Sequence, residues 1–351
     1  MAFASFRLMK SISGAVAGLS LLGTLPAIAQ AIELKVSHYL PPVHTIHKEL
    51  ERWADEVGKK SGGRLKLTVF PSGQMGPLPR QFDLARTGVA DIAFFIHGAL
   101  PGRFPATEVT HLPFVFNREI NGESKALSIA DASAIVTSLS SLLEQEHEGT
   151  KLLYVIASPT VSPYLHKKKV RSPKDFAGLR IRHNGYITSA MVTAWGASPV
   201  AMPPSELADA MDKGTLDGMM FNYEAALAFQ MAKSIGSVTD LKSSAGTFGL
   251  VMNKAKYESL SPDLRKVIDE TTGVEAARRV GAIYDAAEVA GKRYLEDNKV
   301  EIVTPTKEEA EQFRKLVAPL ADTLINASGE KGKVVTEFRA KLMALIAKGS
   351  P

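Results

Sequence analysis

The sequence predicts an α/β protein built as two hinged lobes, and three observations carry that expectation. Short apolar runs alternate with helical patterns along nearly the whole chain, which argues for layered, largely parallel sheets flanked by helices. No low-complexity linker and no fixed-period repeat separates the halves, so two domains are expected to share strands or crossing helices. A helical pattern from Ser261 to about Asn298 is longer than one small domain needs and is expected to cross between the lobes. With 351 residues, 45% of them hydrophobic, the chain has material for a core in each.

The first segment reads as a leader. Arg7 and Lys10 precede an apolar run from Ile12 to about Leu25, closed by "PAIAQA". This is the pattern of a secretory signal peptide over residues 1–31, cleaved after Ala29 or Ala31. Gly14, Gly18, Gly23 and Pro26 make the same stretch a poor core helix. No later stretch approaches the roughly 18–20 apolar positions that span a bilayer, so the mature chain is not expected to be membrane-spanning. There is no cysteine, hence no disulfide and no thiol for a lipid anchor; a freely diffusing periplasmic protein is expected. Losing Arg7 and Lys10 takes the formal charge from +5 to +3. The one basic cluster, "HKKKVR" (166–171), is too short to suggest nucleic acid.

The elements follow in order. "IELKVSH" (32–38) reads as a strand, then Ile46, Leu50, Trp53 and Val57 mark one helix face. "RLKLTVF" (64–70) alternates with period two, "DIAFFI" (91–96) is a buried strand, a helix covers about 123–147, and "KLLYVIA" (151–157) is the next strand. The pattern then repeats: "GLRIR" (178–182) a strand, 186–195 a helix, "SPVAM" (198–202) a strand, 204–214 a helix, "LDGMMF" (216–221) a strand. Ser261, Pro262 and Asp263 supply an N-cap, a first-position proline and a first-turn acid. Gly273, Gly281 and Gly291 are the weak points of the long helical run that follows, and helices over about 306–328 and 332–348 close the chain.

No constellation of reactive residues stands out: there is no G-x-S-x-G elbow, Walker loop, H-E-x-x-H or G-x-G-x-x-G. His38, His44 and His47 invite a metal reading, but no nearby carboxylate completes a ligand spacing, and neither metal nor cofactor is expected. Three loops point instead to small-ligand binding. "FPSGQMGP" (70–77), "HGALPGRFP" (97–105) and "RHNG" (182–185) each follow a strand and precede helical pattern. In open α/β sheets, ligands bind outside the carboxyl ends of strands, where helix N-termini offer free N–H groups.

A colinear set of motifs adds to this: "LKVSHY" (34–39) with Pro and His44 beyond, "RLKLTVFPSGQMG" (64–76), "RTGVADIAF" (86–94), "SPKDFAGLRIR" (172–182) and "GASPVAMPPSELADAMDKGTLDG" (196–218). Together they resemble the DctP-type solute-binding proteins of TRAP transporters over about residues 32–330. The resemblance implies a two-lobed periplasmic-binding-protein fold with hinge strands and a long helix spanning both lobes. It also implies an organic-acid ligand and a membrane partner of one small and one large subunit. The corresponding division is 32–157 plus about 246–285 for lobe I, and 158–245 plus about 286–345 for lobe II.

In that family the basic residue ending the "GLKIR"-like strand pairs with the substrate carboxylate, and the matching position is Arg182. A guanidinium presents two parallel donors to a carboxylate. Alternation puts Arg180 and Arg182 on one face; position separates them, because Arg182 is the last residue before the turn and Arg180 is expected at the surface. The resemblance also points to Phe221, Asn222 and Tyr223 after "DGMM", and to Tyr39, His97 and Gly98 at the other lobe's strand ends. Many members with dicarboxylate or sialic-acid ligands carry a second basic residue on the segment matching "SPTVSPYL" (158–165); here Val161 or a neighbour stands there. That departure favours a monocarboxylate whose body meets Phe95, Met202 and Phe221, such as an aromatic, branched-chain, 2-oxo or 2-hydroxy acid. The expected role is thus non-enzymatic capture by lobe closure; an exported enzyme on the same scaffold, or a chemosensory binding component, is the alternative.

Overall fold

The computed structural model describes residues 31–120 and 123–351; apart from Ala31, the expected leader lies outside the described residues. The chain opens with β1 (Ile32–Ser37), α1 (Thr45–Lys60), β2 (Leu65–Phe70), α2 (Gln81–Arg86) and β3 (Ile92–Ile96). A hairpin of β4 (Asn117–Ile120) and β5 (Glu123–Ala126) precedes α3 (Ile129–Ser138) and β6 (Thr150–Ala157). Next come β7 (Ser162–Leu165), β8 (Arg180–His183), α4 (Tyr186–Ala194), β9 (Ser198–Ala201), α5 (Leu207–Asp212), β10 (Gly218–Phe221), α6 (Tyr223–Ala228) and β11 (Ser237–Thr239). The chain returns through β12 (Thr247–Asn253), α7 (Lys254–Ser259), α8 (Pro262–Thr271) and α9 (Gly273–Asp297). It ends with β13 (Glu301–Val303), α10 (Lys307–Val317), α11 (Leu320–Ala327) and α12 (Gly332–Lys348).

Two sheets result, in the orders β2-β1-β3-β12-β6 and β13-β11-β7-β10-β8-β9. This is the two-lobed α/β architecture expected, but the sheets are mixed rather than largely parallel. β1 pairs parallel with β2 and β3, and β8 pairs parallel with β9 and β10. The antiparallel pairs of both sheets all involve β12 or β7. Each of those strands begins directly after the chain has crossed from the other sheet, and so enters from the opposite direction. The two crossings, 158–161 and 240–246, are bonded to each other: Ser158 N donates to Gly246 O at 2.9 Å, Val161 N to Ser244 O at 2.6 Å, and Ser243 N to Val161 O at 2.9 Å.

Local chemistry explains where the expected helices end. The helix expected over 123–147 starts only at Ile129, where the Ser128 hydroxyl accepts from Asp131 N; the residues before it form the hairpin, and 140–147 is short 3₁₀ turns. The long run from Ser261 is broken at Gly273, whose φ of +77° favours glycine. The resulting α9 packs on both α3 and α6. Its glycines allow this: a Cβ at Gly281 would stand 2.6 Å from Ala130 Cα, and one at Gly291 would stand 2.2 Å from Tyr223 O. Beside them, Asp285 accepts from Ile129 N and Ala130 N at the head of α3, and Glu288 accepts from Glu224 N at the head of α6.

Indole N–H bonds pin further layers. Trp53 Nε1 donates to Thr271 Oγ1 at 3.0 Å, joining α1 to α8. Trp195 Nε1 donates to Phe313 O at 3.2 Å, beside the rings of Phe176 and Phe313. α10 and α11 lie on α4, whereas α12 packs on α3 and the hairpin through a face that includes Val335, Phe338 and Leu342. The sequence division counts residues to 345 with the second lobe; the packing of α12 instead sets it against the first sheet's helices.

Candidate functional site

The carboxyl ends of β1, β2 and β3 face those of β8 and β9 across a cleft of about 860 Å³. The three loops singled out by their glycines and prolines all contribute: Ser72, Gly73 and Pro77 from the first, Gly98, Ala99 and Pro101 from the second, Arg182 to Gly185 from the third. Most of the remaining wall is apolar and stiff, with Pro41, Pro79, Pro203, Pro204, Leu78 and Met202. Among the described residues that line it, Arg182 is the one charged side chain. Its neighbour His183 is held neutral because burial lowers its pKa.

Arg182 and Arg180 have opposite surroundings although one residue separates them. Arg180 is exposed and forms a two-pronged ion pair with Asp217, Nε to Oδ2 at 2.9 Å and Nη2 to Oδ1 at 3.0 Å. Arg182 is only 7% exposed. Its Nε donates to Met202 O at 3.1 Å and its Nη1 to Met220 O at 3.5 Å, and it stands 5.9 Å from the centre of the Phe221 ring. No carboxylate among the described residues pairs with it. Burial therefore pulls its pKa down to about 10, which still leaves the guanidinium charged at neutral pH. A buried cation without a counter-ion is costly unless something else supplies the negative charge.

Of the other residues expected at the site, Tyr39, Gly98 and Met202 line the cleft. Tyr39 follows β1, partly buried, and Arg182 and its phenol lie close enough to influence each other's charge. Gly98 marks a contact between the two sides: a Cβ there would stand 3.3 Å from Asn184 O.

Phe95, His97, Phe221 and Asn222 do not line it. β3 is buried on both faces, and Phe95 turns into a ring cluster with Phe82 and Phe104. His97 is fully buried in a closed network. His97 Nδ1 lies 3.1 Å from both the carbonyl oxygen and Oγ1 of Thr247, His97 Nε2 lies 3.1 Å from His147 Nε2, and His147 Nδ1 lies 2.8 Å from Leu143 O. Burial holds His97 well below its ordinary pKa and brings His147 down to about 4. Phe221 is 4% exposed and sits behind Arg182 as a packing surface. Asn222 caps α6, its Oδ1 accepting from Ala225 N at 2.8 Å, and Tyr223 is buried. Sequence reasoning missed Tyr186, Ser189, Ser205 and Phe229 of the lining. Tyr186, 45% exposed at the head of α4, directly follows the third loop.

Three further histidines lie between the end of β1 and the first turn of α1. His38 Nδ1 accepts from Leu40 N, so its Nε2 donates to His47 Nδ1 at 3.0 Å. His44 caps α1 and faces the buried Glu224 at 3.5 Å. Burial pushes Glu224 up to about 7 and Glu288 up to about 8.

Known proteins share this architecture. A solute-binding protein of Chromohalobacter salexigens is 26% identical over 340 residues, covering 93% of this chain and 95% of that one. A TRAP solute-binding protein of Rhodoferax ferrireducens, solved with copurified benzoate, superposes with a TM-score of 0.82 at 27% identity, covering 91% and 98% of the two chains. A marine metagenome TRAP solute-binding protein from an unidentified microbe, specific for aromatic acid ligands and solved with metahydroxyphenylacetate, gives 0.84 at 26%, covering 91% and 100%. The model of the bacterial extracellular solute-binding proteins of family 7 matches residues 36–327. The chain therefore belongs to that family, the DctP-type substrate-binding proteins of TRAP transporters.

Proposed function

We propose that this protein captures an organic monocarboxylate between its two lobes in the periplasm, without turnover, and delivers it to the small and large membrane subunits of a TRAP transporter. The observation that carries the reading is Arg182, a buried guanidinium that among the described residues has no carboxylate partner and is the single charge on the cleft wall. One unbalanced positive charge calls for one negative charge from the ligand. Val161 or a neighbour stands where the resemblance implies a second base in dicarboxylate- and sialic-acid-type members, and Val161 is 2% exposed and bonded into the paired crossings. The stiff apolar walls suit a flat, rigid body, and two neighbours of the same fold hold aromatic acids. The lobes that close would be those built on the two sheets, because a ligand touching both is held fully only in the closed form.

Calorimetry with benzoate and 3-hydroxybenzoate tests this. Arg182→Ala should cost about 2–5 kcal/mol of binding, as when one partner of a buried charge pair is removed, a loss of tenfold or more. Unchanged affinity in the variant would remove Arg182 from the site. Tighter binding of succinate than of any monocarboxylate would overturn the ligand class.

A further inference from the structure

We propose that the Tyr39 hydroxyl is the second arm of the carboxylate clamp, donating its proton to one oxygen of the ligand carboxylate while Arg182 holds the group from the opposite wall. This rests on the functional reading above and deepens it by assigning the contact that stands in for a second base.

Arg182 has donors left over. A guanidinium offers five N–H groups; Nε gives one to Met202 O and Nη1 one to Met220 O. Both hydrogens of Nη2 are without an acceptor among the described residues. The Tyr39 hydroxyl is in the same position: no group among the described residues hydrogen-bonds it, although it borders the cleft. Two sets of donors without a bonded acceptor among the described residues thus border the same cleft. A carboxylate has two oxygens and about four lone-pair sites, enough for both arms together.

The phenol suits this place better than a second cation would. Burial raises its pKa against the opposing pull of Arg182, so it remains a proton donor throughout the physiological range. It adds a directed hydrogen bond without adding charge, and the site stays matched to a monoanion. The arms also belong to different sheets: Tyr39 follows β1, and Arg182 lies on β8. A carboxylate held by both ties one side of the cleft to the other, whatever the rest of the ligand is.

The test is calorimetric titration of the parent, Tyr39→Phe and Arg182→Ala with benzoate, 3-hydroxybenzoate, mandelate and succinate, with thermal unfolding of each variant to confirm folding. Tyr39→Phe keeps the ring and removes only the hydroxyl. It should weaken every monocarboxylate that binds the parent by tenfold or more, the range for a hydrogen bond to a charged group, and by a similar factor for each. Its rank order of ring substituents should not change. A monocarboxylate lost in Arg182→Ala but bound equally by the parent and Tyr39→Phe overturns the clamp and leaves the functional reading standing. A loss confined to ligands with a ring hydroxyl would place the phenol on the ligand's body, and also overturns it. A parent that binds none of the monocarboxylates sinks both.

Discussion

His97 and Arg182 occupy corresponding places, each at the carboxyl end of a central strand with its side chain buried, yet they do opposite work. His97 has partners for both ring nitrogens in His147 and Thr247. Arg182 bonds only carbonyl oxygens among the described residues, keeps its charge, and lines the cleft. Burial of a polar group does not by itself mark a binding residue. The informative feature is a buried donor whose partners are missing from the protein, since the fold carries a penalty that only a ligand relieves.

The largest expected effects separate these two residues by what each damages. His97→Ala leaves His147 and Thr247 unpaired and opens a cavity among aromatic rings. It should lower unfolding free energy by about 3 kcal/mol, measured by urea denaturation without ligand. Arg182→Ala should leave that quantity unchanged or raised, since it removes an uncompensated charge, while abolishing most of the binding. A destabilised Arg182→Ala would mean that the protein itself balances this charge.

Glu224 and Glu288 are an intermediate case, buried and only partly paired away from the cleft. Their folded pKa values, about 7 and about 8, lie above the ordinary glutamate value. The stability they contribute is therefore complete below about pH 4.3 and is lost as pH rises through the folded values. Glu288→Gln keeps an acceptor for Glu224 N and removes one titration. Its stability relative to the parent should rise between about pH 5 and 8 and level off above, followed by thermal unfolding; a gap independent of pH would show that Glu288 does not titrate there. The smallest effect belongs to Arg180→Ala. Its ion pair with Asp217 is exposed, so affinity for benzoate should be unchanged and stability only slightly altered.

Much of the fold was legible because β1, β2 and α1 carry their own periodicity. The mixed pairing was not. β7 and β11 have four and three residues, all buried, and neither is long enough to show alternation or direction. Loop chemistry pointed to the segments around Ser72, Gly98 and Arg182, because glycine and proline punctuate strand ends, and all three border the cleft; the choice of Arg182 itself came from the resemblance. Phe95 and His97, expected at the site from the apolar-wall argument and the resemblance, lie instead in a buried ring cluster. In a strand buried on both faces, apolar character cannot tell which residue reaches the cleft. Asn222 carried a readable sign, a capping residue just before a helix, which outweighs its position at a strand end. Phe229 and Ser205 are brought to the wall by tertiary packing that no local pattern records.

The close approaches of α9 have a consequence far from the ligand. Gly281 meets the backbone of α3 and Gly291 that of α6, ten residues and about 15 Å apart along one helix. The helix therefore behaves as a shared axle with a bearing at each end, each as tight as a missing methyl group. A single methyl added at either bearing would displace one side alone, so the resting angle between the lobes can be retuned, by mutation or by drift, without altering any atom that recognises the cargo.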